Sequence, residues 1–149
     1  MTPAARVHPG PAVARVPAAI LAVVVAQAVA EAPLEACGLI VGDRPIADGG
    51  EALRYAPCRN VLASRSRFSI HPDDLYRVTV DADDAGEVVW GIVHSHPHSP
   101  AVPSPTDTEL ALYPDALHLL VSLADATRPE LRAWRIVDGA AHEVALEPA

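Results

Sequence analysis

The chain has 149 residues, half of them hydrophobic, and a formal net charge of −8. That length suits one domain with a core of its own, spanning residues 1–149. Every basic residue is Arg and no basic stretch occurs, so nucleic acid and anionic membrane are poor partners on electrostatic grounds. Cys37 and Cys58 are too few for a disulfide framework and form no CxxC pair. Two small buried thiols in a reduced, cytoplasmic setting are expected.

Residues 1–16 read as an irregular start with room for one short strand. "VPAAILAVVVAQAVAEAP" (Val16 to Pro33) is apolar and holds Ala28-Val29-Ala30, so it has two readings. One is a secretory leader with an A-x-A cleavage site. The other is an Ala-rich core helix from Pro17 to Glu31, with proline in its first turn. Gln27 interrupts the run, which falls short of the roughly 20 apolar residues of a membrane span. The core helix is preferred, because strands of a compact domain follow it. "EACGLIVG" (Glu35 to Gly42) predicts a buried strand, and "EALRYAPCRN" (Glu51 to Asn60) its hairpin partner. "RFSI" (Arg67 to Ile70) predicts a short edge strand.

"HPDDLYRVTVDADDAG" (His71 to Gly86) predicts a helix with acids in its first turn and glycine at its end, although Val78-Thr79-Val80 disfavours it locally. "EVVWGIVH" (Glu87 to His94) has the aliphatics of a central strand. Thr106 to Pro114 predicts a short helix stopped by proline, and Ala116 to Ala124 another buried strand. Glu130 to Leu146 predicts a hairpin turning at Asp138-Gly139. Interspersed helices and strands with at least one hairpin predict an α/β fold: a mixed sheet with helices packed against it.

The chemistry concentrates in "HSHPHSPAVPSPTD" (His94 to Asp107). His94 and His96 end a strand two residues apart, so both imidazoles face the same side. Such a pair suits zinc, which takes four ligands and keeps one position for water in catalytic sites. Asp107 is the natural third ligand, reached across a loop stiffened by Pro97, Pro100, Pro103 and Pro105. Ser104-Pro105-Thr106-Asp107 also reads as a plain helix start, with Ser104 as cap and Asp107 facing the helix dipole. The two readings are compatible. A hydrolytic zinc needs a carboxylate base near its water. By residue chemistry alone Glu35 and Glu31 are nearly tied for that part.

Glu35, His94-Ser95-His96, seven residues, Ser104, two residues and Asp107 together resemble the signature of the JAMM (MPN-plus) zinc metalloproteases, E…H-S/T-H-x7-S-x-x-D. "RFSIHPDDL" and "YPDALHLLVSLADATRPELRAWRI" resemble its short bacterial members, which act on ubiquitin-like sulfur carriers. The resemblance runs from about Pro17 to Gly139. It implies a three-layer α/β/α sandwich similar to cytidine deaminases, whose own HxE and PCxxC signature is missing here, so base deamination is rejected. It implies that His94, His96 and Asp107 bind zinc, that Glu35 is the general acid/base, and that Ser104 hydrogen-bonds the water or stabilises the oxyanion. Ser95 is implied to point away and support the site. His98 reads as a surplus histidine; the alternatives are a product-carboxylate contact or competition for metal. His71 and His118 read as capping and sheet residues. Asn60, Arg67 and Phe68 lie where a substrate groove edge is expected, with a strand end and a packing aromatic as the competing reading.

The implied reaction is hydrolysis of a carrier–cysteine amide, releasing cysteine and a small ubiquitin-like sulfur carrier ending in Gly-Gly. The rivals are a JAMM peptidase or isopeptidase on another protein tail, and a non-catalytic MPN scaffold. The intact signature disfavours the scaffold. Oligomeric state stays open.

Overall fold

The computed structural model describes residues 12–109, 111 and 113–149. Strand β1 (Val13–Val16) leads into helix α1 (Ala18–Glu31). Strand β2 (Cys37–Gly42), a 3-10 turn at Ile46–Asp48 and strand β3 (Ala52–Cys58) follow. Next come helix α2 (Pro72–Asp84), strand β4 (Val88–His96) and helix α3 (Pro105–Glu109). Strands β5 (Leu117–Ser122), β6 (Glu130–Val137) and β7 (Ala140–Pro148) complete the order. The strands form one sheet ordered β1-β7-β6-β5-β4-β2-β3. It is mixed: β4 pairs parallel with β5 and β1 parallel with β7, and the other pairs are antiparallel.

Side-chain alternation along β2 divides the core. Ile40 packs with Ile20, Leu21, Val24 and Ala28 of α1. Cys37, Leu39 and Val41 pack instead with Val78 and Ala82 of α2. The helices therefore cover opposite faces, which gives the three layers expected. The apolar run after Pro17 is thus a core helix. No helix among the described residues is long and apolar enough to cross a membrane.

A register irregularity decides which face the histidines take. Ile40 opposes Gly91 but Val41 opposes Val89, so Trp90 is skipped in the pairing. Trp90 turns to the α1 face with Val93, and its indole N–H donates to the Gly50 carbonyl (2.9 Å). Beyond this bulge Ile92 packs on the α2 face. His94 and His96 follow it at two-residue steps onto that face.

Two predicted boundaries are corrected. Arg67 to Ile70 is not a strand; it makes only an isolated bridge, Asn60 with Ile70. The Asn60 amide donates to the Arg67 carbonyl and accepts from Ser69 N–H, taking the backbone groups a ladder needs. The helix expected from Thr106 to Pro114 is α3, ending at Glu109. Leu110 and Leu112 lie outside the described residues, as does the irregular start before residue 12. His71 caps α2, its Nδ1 accepting from Asp73 N–H (3.1 Å), and His118 sits buried in β5.

Candidate metal centre

The site forms where the C-terminal end of β4, the start of β2 and the start of α3 meet. His94 (1% exposed) and His96 (5% exposed) point their Nε2 atoms at each other across 3.1 Å. Asp107 Oδ2 lies 3.2 Å from His94 Nε2 and 3.1 Å from His96 Nε2. The Pro100 carbonyl is 2.7 Å from His96 Nδ1. A carbonyl only accepts, so that nitrogen carries the hydrogen and the neutral ring turns a lone pair toward Asp107. His94 is held differently. Phe68 stacks on it at 4.3 Å and 18°, and its Nδ1 is buried without a hydrogen-bond partner among the described residues.

Three electron-rich atoms aimed at one small volume need a positive charge between them, either a proton or a metal ion. The titration behaviour fits that need. Burial would raise Asp107, yet the two imidazoles, when they carry a proton at Nε2, hydrogen-bond its carboxyl and hold it well below the usual range. Burial would lower His96, but Asp107 and the Pro100 carbonyl outweigh it and shift it upward. Burial dominates at His94 and lowers it, despite Asp107. A tetrahedral ion with ligand distances of ~2.0–2.1 Å spaces its ligands ~3.3 Å apart. The observed triangle of 3.1–3.2 Å is close to one face of that tetrahedron. The donor set therefore fits a small divalent ion.

Ser104 and Asp107 bond reciprocally: Ser104 N–H donates to Asp107 Oδ2 (2.8 Å), and Asp107 N–H to Ser104 Oγ (3.1 Å). This is the capping arrangement read from the sequence, and it orients the Asp107 carboxylate. The Ser104 hydroxyl hydrogen is left to donate into the pocket.

Glu35 offers a carboxylate oxygen within 4.8 Å of ligand nitrogens of both His94 and His96. It is 4% exposed, and its Oε1 is buried without a hydrogen-bond partner among the described residues. Burial raises its carboxyl to about 7, with His96 opposing and Asp107 adding to the shift. Glu31, its rival by residue chemistry, is exposed at the end of α1 and bonded to Gln27.

Two clips fix Glu35. Ser95 points to the α1 side, where its Oγ accepts from Ala36 N–H (2.8 Å) and its own N–H donates to the Ala36 carbonyl (3.0 Å). Asn60 Nδ2 donates to the Glu35 carbonyl (3.1 Å), and Glu35 N–H to the Ser64 carbonyl (2.8 Å). With Leu62 N–H also bound to its Oδ1, the Asn60 amide is fully occupied by backbone groups of its own loop and of Glu35. Arg67 is exposed beside it.

A cavity of about 340 Å³ opens here, lined by Glu35, His96, Ser104, Arg65, Ser66, His98 and Ser99. Arg65, Ser66 and Ser99 carry no motif, and nothing in the sequence singles them out.

Residues 17–137 match the family described as prokaryotic homologs of the JAB domain. The chain is 41% identical over 123 residues to the CysO-cysteine peptidase of Mycobacterium tuberculosis, covering 80% of each chain. It is 33% identical over 96 residues to the desampylase of Haloferax volcanii, covering 64% of this chain and 67% of that one. A JAB1/MPN domain protein from Archaeoglobus fulgidus shares the fold, with a TM-score of 0.55 at 19% identity, over 89% of this chain and 97% of that one.

Proposed function

The chain belongs to the prokaryotic JAB-domain family, and on that premise we propose that it is a zinc-dependent hydrolase of the amide between a small ubiquitin-like carrier and cysteine. The observation that carries the proposal is the His94–His96–Asp107 triangle with a buried carboxyl raised to about 7 beside it. The name of the mycobacterial relative supports the carrier–cysteine substrate.

His94, His96 and Asp107 would hold a zinc ion, which would supply Lewis acidity and make water nucleophilic at neutral pH. Glu35 takes a proton from the attacking water and returns it to the scissile nitrogen. The water oxygen bonds to the carbonyl carbon, the C–N bond breaks, and cysteine leaves as a free amine. A carboxyl poised near 7 suits both halves of that transfer. Ser104 donates its hydroxyl hydrogen to the carbonyl oxygen as negative charge develops there. Asp107, gripped by Ser104 N–H, stays ionised. Ser95 and Asn60 hold the backbone on either side of the Glu35 side chain, so its carboxylate need not reorganise during the step.

The carrier's tail enters extended. Terminal glycines, lacking side chains, bring its carbonyl close to the buried triangle. Release of cysteine supports a part in cysteine biosynthesis, and the two free thiols support a cytoplasmic setting. The test is intact-mass measurement of a purified carrier–cysteine adduct before and after incubation. The adduct is expected to lose its cysteine and leave a carrier with a free C-terminal carboxylate. Glu35→Gln is expected to retain metal and abolish the conversion. A zinc-loaded protein that leaves the adduct intact overturns the proposal.

A further inference from the structure

The cavity over the triangle has one wall that the reaction above does not use. Arg65 lines it, together with Ser66, His98 and Ser99. Six of the ten described arginines face a carboxylate among the described residues: Arg15 meets Glu147, Arg44 meets Asp43, Arg54 meets Glu87, Arg59 and Arg77 share Asp74, and Arg132 meets Glu143. The Arg65 side chain makes no ion pair or hydrogen bond among the described residues, although it belongs to the active-site wall. Its placement is set by the machinery itself. Glu35 N–H is bonded to the carbonyl of Ser64, and Ser66 N–H turns back onto Ser64 Oγ (3.1 Å). The loop bearing Arg65 is thus registered directly on the general base.

The chemistry of the leaving group supplies what this wall lacks. Cysteine joined through its amino group keeps a free α-carboxylate, one carbon away from the scissile nitrogen. That anion must sit beside Glu35 and near Asp107, in a protein of net charge −8. Two carboxylates at close range repel unless a cation lies between or beside them. Arg65 is the one permanently charged cation lining this cavity among the described residues. A guanidinium matches a carboxylate with two parallel hydrogen bonds, and the Ser66 and Ser99 hydroxyls add donors alongside.

We infer that Arg65 binds the α-carboxylate of the departing amino acid and makes the site selective for adducts whose leaving group ends in a free carboxylate. The inference rests on the hydrolysis proposed above and narrows its substrate class. A lysine side chain leaving from an isopeptide bond has no carboxylate at this position, and such adducts gain nothing from Arg65.

The experiment compares the zinc-loaded protein on two adducts of one carrier, one ending in cysteine and one in cysteinamide, by kcat/KM. The parent is expected to favour the acid by about 10- to 100-fold, the range for a charge-assisted pair. Arg65→Ala is expected to bring the acid-to-amide ratio to about 1, and Arg65→Lys to restore part of it, because lysine keeps the charge without the fork. A general loss of activity scales both substrates and leaves the ratio standing, so the ratio separates recognition from damage. A parent that cleaves both adducts equally well keeps the proposed hydrolysis and overturns the role of Arg65. So does a ratio that survives Arg65→Ala, or one that collapses in His98→Ala instead. A zinc-loaded parent that cleaves neither adduct overturns the hydrolysis itself.

Discussion

Ser95→Ala tests how Glu35 is held. Ser95 lies between the two metal-facing histidines but points to the opposite face, 1% exposed, and its Oγ is the partner of Ala36 N–H at 2.8 Å. Ala36 is itself 4% exposed, so deleting the hydroxyl leaves a buried donor that water cannot reach. An orphaned buried donor costs about 1–3 kcal/mol. At about 2–4 °C per kcal/mol for a domain near this size, Tm falls by roughly 3–10 °C. The functional effect is separate. The Ala36–Ser95 pair fixes the residue after Glu35, and a displacement of about 1 Å in such a group costs on the order of 100-fold. Calorimetry, metal analysis and steady-state kinetics on the same preparation decide it. The expected result is a lower Tm, unchanged metal content and a kcat reduced about 10- to 100-fold. A variant with parental Tm and kcat refutes the claim that this bond positions Glu35.

The raised carboxyl of Glu35 has a pH signature in the metal-free protein. Its native value, about 7, exceeds the ordinary 4.5, so the folded state binds that proton more tightly than the unfolded state. The stabilisation is complete below pH 4.5 and is lost as pH rises toward 7. Glu35→Gln, which keeps a neutral side chain throughout, is therefore expected to gain Tm relative to the parent between pH 5 and pH 8 in chelator; a constant difference contradicts this. Phe68→Ala removes the ring stacked on His94 at 4.3 Å. Loss of about 0.5–1.5 kcal/mol from that pair predicts a roughly 2- to 10-fold weaker metal affinity in competition with a chelator, and parental affinity contradicts the supporting role.

The parts of the fold that the sequence made legible are those with local periodicity. The helix after Pro17, the alternating strand around Ile40 and the Asp138-Gly139 hairpin each follow from residues close in the chain. The face taken by His94 and His96 was legible only in part. Their two-residue spacing puts them on one side, but the bulge at Trp90 chooses which side, and Trp90 reads there as one more apolar strand residue. Arg67 to Ile70 misled because its backbone groups bond the Asn60 amide, a side-chain partner that strand propensity cannot foresee. The parallel pairing of β1 with β7 joins distant parts of the chain and leaves no local mark.

The site divides in the same way. The two histidines, Ser104 and Asp107 sit within one short stretch of the chain, from the end of β4 to the start of α3, and announce themselves by spacing. Glu35 stands apart from them, and residue chemistry left it level with Glu31 until family resemblance separated the two. Burial is what distinguishes them physically: Glu35 is 4% exposed and raised to about 7, whereas Glu31 is exposed. Arg65 had no signal at all, since its meaning comes from lining the cavity without a partner of its own among the described residues. His98 lines the cavity but is absent from the triangle.

The most direct test of the account is metal stoichiometry by elemental analysis on gently purified protein, before and after equilibration with zinc. The account predicts close to one zinc per chain in the parent and in Glu35→Gln, and almost none in Asp107→Ala, which loses one corner of the triangle. A parent that holds no zinc after equilibration, or an Asp107→Ala variant that holds as much as the parent, contradicts it.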